Sequence, residues 1–257
     1  MATFCNCPRT QRSPKPSKLV SGHMMRKPTL AQRMGAEFLG AALLLAALIG
    51  SGIMGERLAA GNEAIALLCN TLPTGAMLVV LLTMLGPISG AHLNPVVTAA
   101  FALRGDMSMR EASGYAIAQC AGAVLGVLVA HGMFELPLLQ LSIKARSGLP
   151  QGFSECVATF GLVITIFLTL RAKPQSVPIS VGLYITAAYW FTASTSFANP
   201  AVTLARAFSN TFAGIRLADV PLFTAAQILG AGLALVVMRL LIGSTERTGA
   251  TNPGAKL

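Results

Sequence analysis

Charge is scarce in this 257-residue chain: Asp, Glu, Lys and Arg make up 11% of it, against 54% hydrophobic residues. That is too little polar material to cover a soluble globule of this size, so the composition excludes one and indicates a polytopic membrane protein. Acids are scarcest, nine against nineteen bases. The resulting formal charge of +10 resembles a nucleic-acid footprint until the bases are located. Seven lie before residue 34 (Arg9, Arg12, Lys15, Lys18, Arg26, Lys27 and Arg33), as a basic tail flanking a span, and no nucleic-acid partner is implied. Cysteine is sparse as well. Cys69, Cys120 and Cys156 lie in apolar runs at no metal-ligand spacing, so neither a disulfide framework nor a metal site is implied, and Cys5 and Cys7 read better as incidental thiols than as a soft-metal site. No nucleophile, base or metal cluster assembles, so no enzyme, catalytic residue or cofactor is expected.

What the chain does have is apolar length. A span needs about 20 apolar residues, and six segments qualify: roughly Gly35 to Met54, Glu63 to Leu85, Ala112 to Phe134, Phe153 to Leu170, Ser176 to Phe197 and Val220 to Ile242. Residues 1–32, rich in Pro, Ser and Lys without apolar periodicity, are expected to be a disordered cytoplasmic tail and not a secretory signal, with 243–257 a second tail. Six spans put both ends of the chain on one side, and that side carries thirteen Lys and Arg against five on the other, which predicts cytoplasmic termini.

Two further apolar stretches of about ten residues, too short to cross a bilayer as helices, open with Asn-Pro. "HLNPVVTAAFALRG" and "SFANPAVTLARAF" align with Asn94 on Asn199, and Pro95, Val97, Thr98, Ala100 and Ala102 then match Pro200, Val202, Thr203, Ala205 and Ala207. "AEFLGAALLLA" and "SECVATFGLVI" echo one another too, each with an acid near its start, Glu37 and Glu155. Three crossings separate the copies, so they enter from opposite faces: an inverted repeat of about 33–134 and 153–242. Asn is a favoured N-cap and Pro suits the first helical turn. Each motif therefore starts a short re-entrant helix, Pro95 to about Leu103 and Pro200 to about Phe208. If the two meet at their N-termini, both dipoles and both Asn amides point into one place, favouring neutral oxygen-bearing solutes over cations.

The pair of motifs closely resembles that of the aquaporins and aquaglyceroporins, the major intrinsic proteins, over about Arg33 to Ile242. The resemblance implies an all-α membrane protein of six transmembrane helices and two half-helices, with a pore motif of Asn94, Pro95, Val96, Asn199, Pro200 and Ala201. It implies pore-facing carbonyls at Gly90, Ala91 and His92 and at Thr195, Ser196 and Phe197, with Glu37 and Glu155 bracing the re-entrant loops. A homotetramer in a bacterial inner membrane, in contact with lipid and conducting small neutral solutes, is implied as well.

The chain departs from the family at two places. Val96 stands where the first motif usually has Ala, and Val202 stands where members usually carry the filter Arg directly after the second motif. Carrying over the filter by spacing gives Thr74, Ala187, Ser196 and Val202, small and uncharged. Were the fifth span shifted by a turn, Tyr184, Phe191 or Phe197 would enter the pore instead. Pro221 and Leu222 resemble glycerol-conducting members, whereas Thr203 replaces the Asp common in them. Val after Asn-Pro-Ala resembles a bacterial subgroup from arsenic-resistance operons, which implies arsenous acid and methylated arsenicals as solutes. Arg206, four residues beyond Val202, is a candidate for the outer vestibule; the plainer reading is a helix C-cap or a contact to lipid headgroups. The expected function is a passive channel for water, glycerol-type polyols and metalloid acids. The competing readings are a strict water channel, a secondary transporter and an ion-permeable channel. The transporter lacks a free coupling acid and the ion channel lacks an acidic ring.

Overall fold

The computed structural model describes residues 28–242, and the expectations for the basic tail, for Cys5 and Cys7 and for the last fifteen residues lie outside them. Five helices are long and apolar enough to cross a membrane. Helix α1 (Leu30–Leu58) begins with a capping box of Thr29 and Gln32, and α4 (Met109–Met133) with one of Ser108 and Glu111. Asn62 caps α2 (Glu63–Ser89). Pro lies in the first turns of α5 (Leu149–Ala172) and α8 (Val220–Ile242), where it has no N–H to lose. The two Asn-Pro motifs form α3 (Pro95–Leu103) and α7 (Pro200–Arg206).

The fifth predicted span differs most from its expectation. Helix α6 (Val177–Phe191) is 15 residues long, about 22 Å at 1.5 Å per residue. It stops six residues before Phe197, because Thr192 turns extended at ψ 137° and the chain then takes positive φ at Thr195, Ser196 and Ala198. A 3-10 turn, Pro174–Ser176, lengthens it at the other end. Helix α7 likewise ends at Arg206, not Phe208.

The repeat governs packing. Helix α1 lies on α4 and α5 lies on α8, with α2 and α6 closing the bundle and α3 and α7 inside it. The close approach of each pair rests on glycine, at two positions between α1 and α4, where a Cβ at Gly126 would run into the carbonyl of Ala42. A Cβ at Gly122 would run into the carbonyl of Phe38, and one at Gly230 into that of Cys156. The outward faces carry Leu72, Ile117, Leu183 and Leu240, all exposed. Such a surface is costly in water and at home in a hydrocarbon layer.

Candidate functional site: a cavity between the two half-helices

Each motif Asn does two jobs with one side chain. The Asn94 Oδ1 accepts from Val96 N at 3.0 Å and the Asn199 Oδ1 accepts from Ala201 N at 3.0 Å, so both cap their own half-helices. The two Nδ2 groups cross over: Asn94 donates to Ala198 O and Asn199 to Leu93 O, each at 2.8 Å. The half-helices thus meet at their N-termini as the inverted repeat requires. An amide nitrogen has two hydrogens, and each Asn has one left over.

The chain ahead of each Asn is held in a conformation that side chains resist. Positive φ occurs at Gly90, Ala91 and Leu93 and again at Thr195, Ser196 and Ala198, the same three positions in both copies. Each such non-Gly residue costs on the order of 1 kcal/mol. The cost is borne by two buried carboxylates. Glu37 accepts from Ser89 Oγ at 2.6 Å, His92 N at 3.0 Å, Leu93 N at 2.6 Å and Gln119 Nε2 at 2.8 Å. Glu155 accepts from Phe197 N at 2.9 Å, Ala198 N at 2.8 Å and Gln227 Nε2 at 2.6 Å. Both acids are fully buried, and these donors replace the water each has lost. The same glutamine amides also reach Thr98 Oγ1 and Thr203 Oγ1, whose hydroxyls donate to the carbonyls of Asn94 and Asn199. Gln119 and Gln227 escaped the sequence reading although a signal exists: "AQCAGA" in α4 and "AQILGA" in α8 are a third pair of repeat copies, and they contain the packing glycines as well.

The held conformation leaves acceptors unused. Among the described residues no protein donor reaches the carbonyls of Gly90, Ala91, His92, Thr195, Ser196 or Phe197. The flanking carbonyls are taken, Ser89 O by Tyr115, Leu93 O by Asn199, Ser194 O by Arg146 and Ala198 O by Asn94. Five of the six residues line a cavity of about 220 Å³, Thr195 being outside it, together with Asn94 and Asn199. Aliphatic residues such as Leu48, Leu78, Leu162, Ile166 and Val181 form much of the remaining wall, and no acid lies on it. His92 lines it with its ring stacked 4.4 Å from Phe101 and its Nδ1 3.1 Å from Thr98 Oγ1, a positioning arrangement.

Of the four filter positions carried over by spacing, Thr74, Ser196 and Val202 reach this wall and Ala187 does not. Helix α6 presents Val177, Val181, Ile185 and Tyr189 to the cavity at intervals of four. Ala187 sits two residues from Ile185, some 200° round the helix, and is exposed on the far side. Tyr189, 2% exposed, lines the cavity from the last turn of α6. Of the three aromatics considered for a shifted register, Phe197 lines the cavity, Tyr184 donates to Ala158 O, and Phe191 faces outward. Val96 packs away from the cavity with Ala100, Val163 and Phe167.

Arg206 belongs to the same wall and touches neither solvent nor headgroups: it is 1% exposed, stacked 3.4 Å above the Phe197 ring, and donates from Nε to Ala213 O. Arg146 approaches the same ring at 5.0 Å and donates to Ser194 O and Gly214 O. Burial lowers the pKa of Arg146. Lys144, whose Nζ donates to Phe212 O, has its pKa lowered first by desolvation against the surrounding chain and then by repulsion from Arg146 and Arg206. His131, buried at the end of α4, bridges Leu138 O and Ser209 Oγ and ties the α4–α5 connection to the turn after α7.

Comparison with known proteins gives the same picture. The sequence profile described as "Major intrinsic protein" matches residues 24–196. The chain is 56% identical over 218 residues to the aquaglyceroporin AqpS of Rhizobium meliloti (strain 1021), covering 85% of this chain and 93% of that one. It is 31% identical to the probable aquaporin PIP2-8 of Oryza sativa subsp. japonica, covering 69% of each. It is 27% identical to human aquaporin-1, covering 80% of each. The fold matches the crystal structure of the aquaglyceroporin of Plasmodium falciparum with a TM-score of 0.69 at 18% identity, covering 84% of this chain and 98% of that one. An inverted pair of Asn-Pro half-helices inside a multi-pass helical bundle, together with this profile and these relatives, makes the chain a member of the major intrinsic protein family, the membrane channels.

Proposed function

We propose that the protein is a passive channel for small uncharged solutes, water and glycerol-sized polyols first, with metalloid acids such as arsenous acid and methylated arsenicals within its range. The observation that carries this is the row of partner-free carbonyls, five of the six from residues on the cavity, leading to two Asn amides along a largely aliphatic wall on which no acid lies. A hydroxylated solute exchanges its water for these acceptors and donors and sheds nothing else. A cation meets two helix N-termini and no acid. The filter under this reading is Thr74, Ser196, Val202 and Tyr189, neutral and without the usual Arg, which favours solutes larger than water. The similarity to an aquaglyceroporin over 85% of the chain supports the wider reading. The bulk of Tyr189 supports the second reading, a strict water channel. The thirteen-to-five charge balance supports cytoplasmic termini, and the exposed apolar faces of α2 and α6 are suited to a homotetramer as well as to lipid.

Stopped-flow swelling of proteoliposomes tests the proposal with water, glycerol and arsenous acid, with and without a proton gradient. Non-saturating flux of all three, indifferent to the gradient, is expected. Gradient-driven saturable flux sinks the channel reading, and water flux alone leaves the strict water channel.

A further inference from the structure

The bare carbonyls suit a cation as well as a hydroxyl, because carbonyl oxygens are the groups that replace an ion's hydration shell in cation filters. Ser196 and Phe197 offer two of them toward the end of the cavity where α7 terminates, and Thr74, Val202 and Tyr189 on the same wall are uncharged. The half-helix dipoles act deeper, at the Asn motifs, with about half a charge each. None of these groups rejects a cation at the mouth itself. Arg206, the last residue of α7, lies on the wall one helical turn beyond Val202. A guanidinium cannot be deprotonated in a protein, and no counter-ion neutralises this one. Its Nε donates to a neutral acceptor, Ala213 O, and its buried Nη1 has no partner. The ion pairs among the described residues join Arg33 to Glu111, Arg104 to Asp106 and Arg216 to Asp219, and none reaches Arg206. Glu155 is committed to Phe197, Ala198 and Gln227. Arg146, 5.0 Å from the Phe197 ring on which Arg206 stacks, adds a second cation. An unpaired buried cation costs stability that an apolar residue of similar volume would not, so packing gives no account of it.

We infer that Arg206 is the residue that bars cations from this channel, acting through space and not by contact with the solute. The inference rests on the channel reading and names the group that sets its charge selectivity. In buried, low-dielectric surroundings the field of an unpaired charge is weakly screened, so it reaches across the mouth whether or not the Nη atoms touch what passes. The Phe197 ring and Ala213 O fix where the charge sits. A neutral solute crosses the same field with little penalty, whereas a cation pays for it in full. The positive charge that Val202 does not bring directly after the second motif is thus supplied from one turn further along α7. Charge and size are then judged by different residues, Arg206 for charge and Thr74, Val202 and Tyr189 for width.

The test uses the full chain in proteoliposomes and compares guanidinium chloride with urea, a cation and a neutral molecule of nearly the same planar shape, with a protonophore balancing charge. Wild type is expected to pass urea and exclude guanidinium. Arg206→Gln, whose amide can still donate to Ala213 O, is expected to raise the guanidinium-to-urea flux ratio about tenfold. Arg206→Lys keeps the charge and should keep the ratio low, and Val202→Arg added to Arg206→Gln should bring it back down. Guanidinium passing wild type as freely as urea, or a ratio that Arg206→Gln leaves unchanged, overturns the inference. So does a ratio raised as far by Arg206→Lys as by Arg206→Gln, which marks lost packing and not lost charge. Absence of urea and glycerol flux in wild type strikes the channel reading itself, and the barrier with it. Where Arg206→Gln does not fold, Arg206→Met carries the test, since removing an unpaired buried charge is expected to leave the unfolding midpoint no lower than that of wild type. Failure of both variants to fold makes Arg206 a structural residue and overturns the inference.

Discussion

Asn94 and Asn199 are cross-tied, each donating its amide to the carbonyl that precedes the other, at 2.8 Å in both directions. The tie needs a nitrogen, whereas the cap needs only an oxygen. Asn94→Asp therefore keeps the cap on Val96 N and loses the tie, setting a carboxylate against Ala198 O. The expected cost is about 3 kcal/mol, with glycerol flux lost alongside. Thermal unfolding and vesicle swelling check it, and a variant as stable as wild type would falsify the tie.

The bracing acids make a graded prediction. Glu37→Leu strands the N–H groups of His92 and Leu93 and the amide of Gln119, with an expected loss of about 3–5 kcal/mol. Glu37→Gln retains one acceptor oxygen and falls between. The order wild type, Gln, Leu in unfolding midpoint is the expected result, and Glu155 should repeat it.

Val202 is 4% exposed and on the cavity wall. Val202→Arg places a second cation one turn from Arg206 and narrows the mouth. Glycerol flux should drop about tenfold, the effect of a barrier increase of about 1.4 kcal/mol, with water flux reduced less. Equal losses of both solutes would point to misfolding and not to filtering.

The register of α6 separates two neighbours. Tyr189→Ala should raise glycerol flux severalfold by widening the mouth, whereas Ala187→Phe, on the outward side, should leave it unchanged. The reverse pattern would restore the spacing-based filter.

Lys144 carries a pH signature. Its folded-state pKa lies below the unfolded value of about 10.4, so unfolding takes up a proton between the two, and its penalty, complete at neutral pH, disappears as pH rises through that window. The stability of Lys144→Gln relative to wild type should therefore fall as pH approaches about 10. A difference that stays flat or grows with pH contradicts the assignment.

The architecture was legible in the sequence because its parts are repeated and local. Asn-Pro is a cap signal, the two copies align residue by residue, and an acid inside an apolar run asks for a partner. The register of α6 was not legible. Its apolar residues run all round the helix, so no periodicity distinguishes Ile185 and Tyr189 from Ala187, and a spacing counted back from Asn199 crosses a stretch of positive φ. The burial of Arg206 was hidden for a different reason: its partners, Phe197 and Ala213, are supplied by chain turns that follow no period. Gln119 and Gln227 were legible in principle, in a repeat shorter than the ones that drew notice.

The braces and the tie also differ in when they become available as the chain is made. Every partner of Glu37 precedes residue 120, so the first loop can take its bent form as soon as α4 is in place. The acceptor for the Asn94 amide is 104 residues further on. Until the second half arrives, the first motif holds an open donor and an open carbonyl at membrane depth, so the lumen is completed last, by the joining of two halves that are each already shaped.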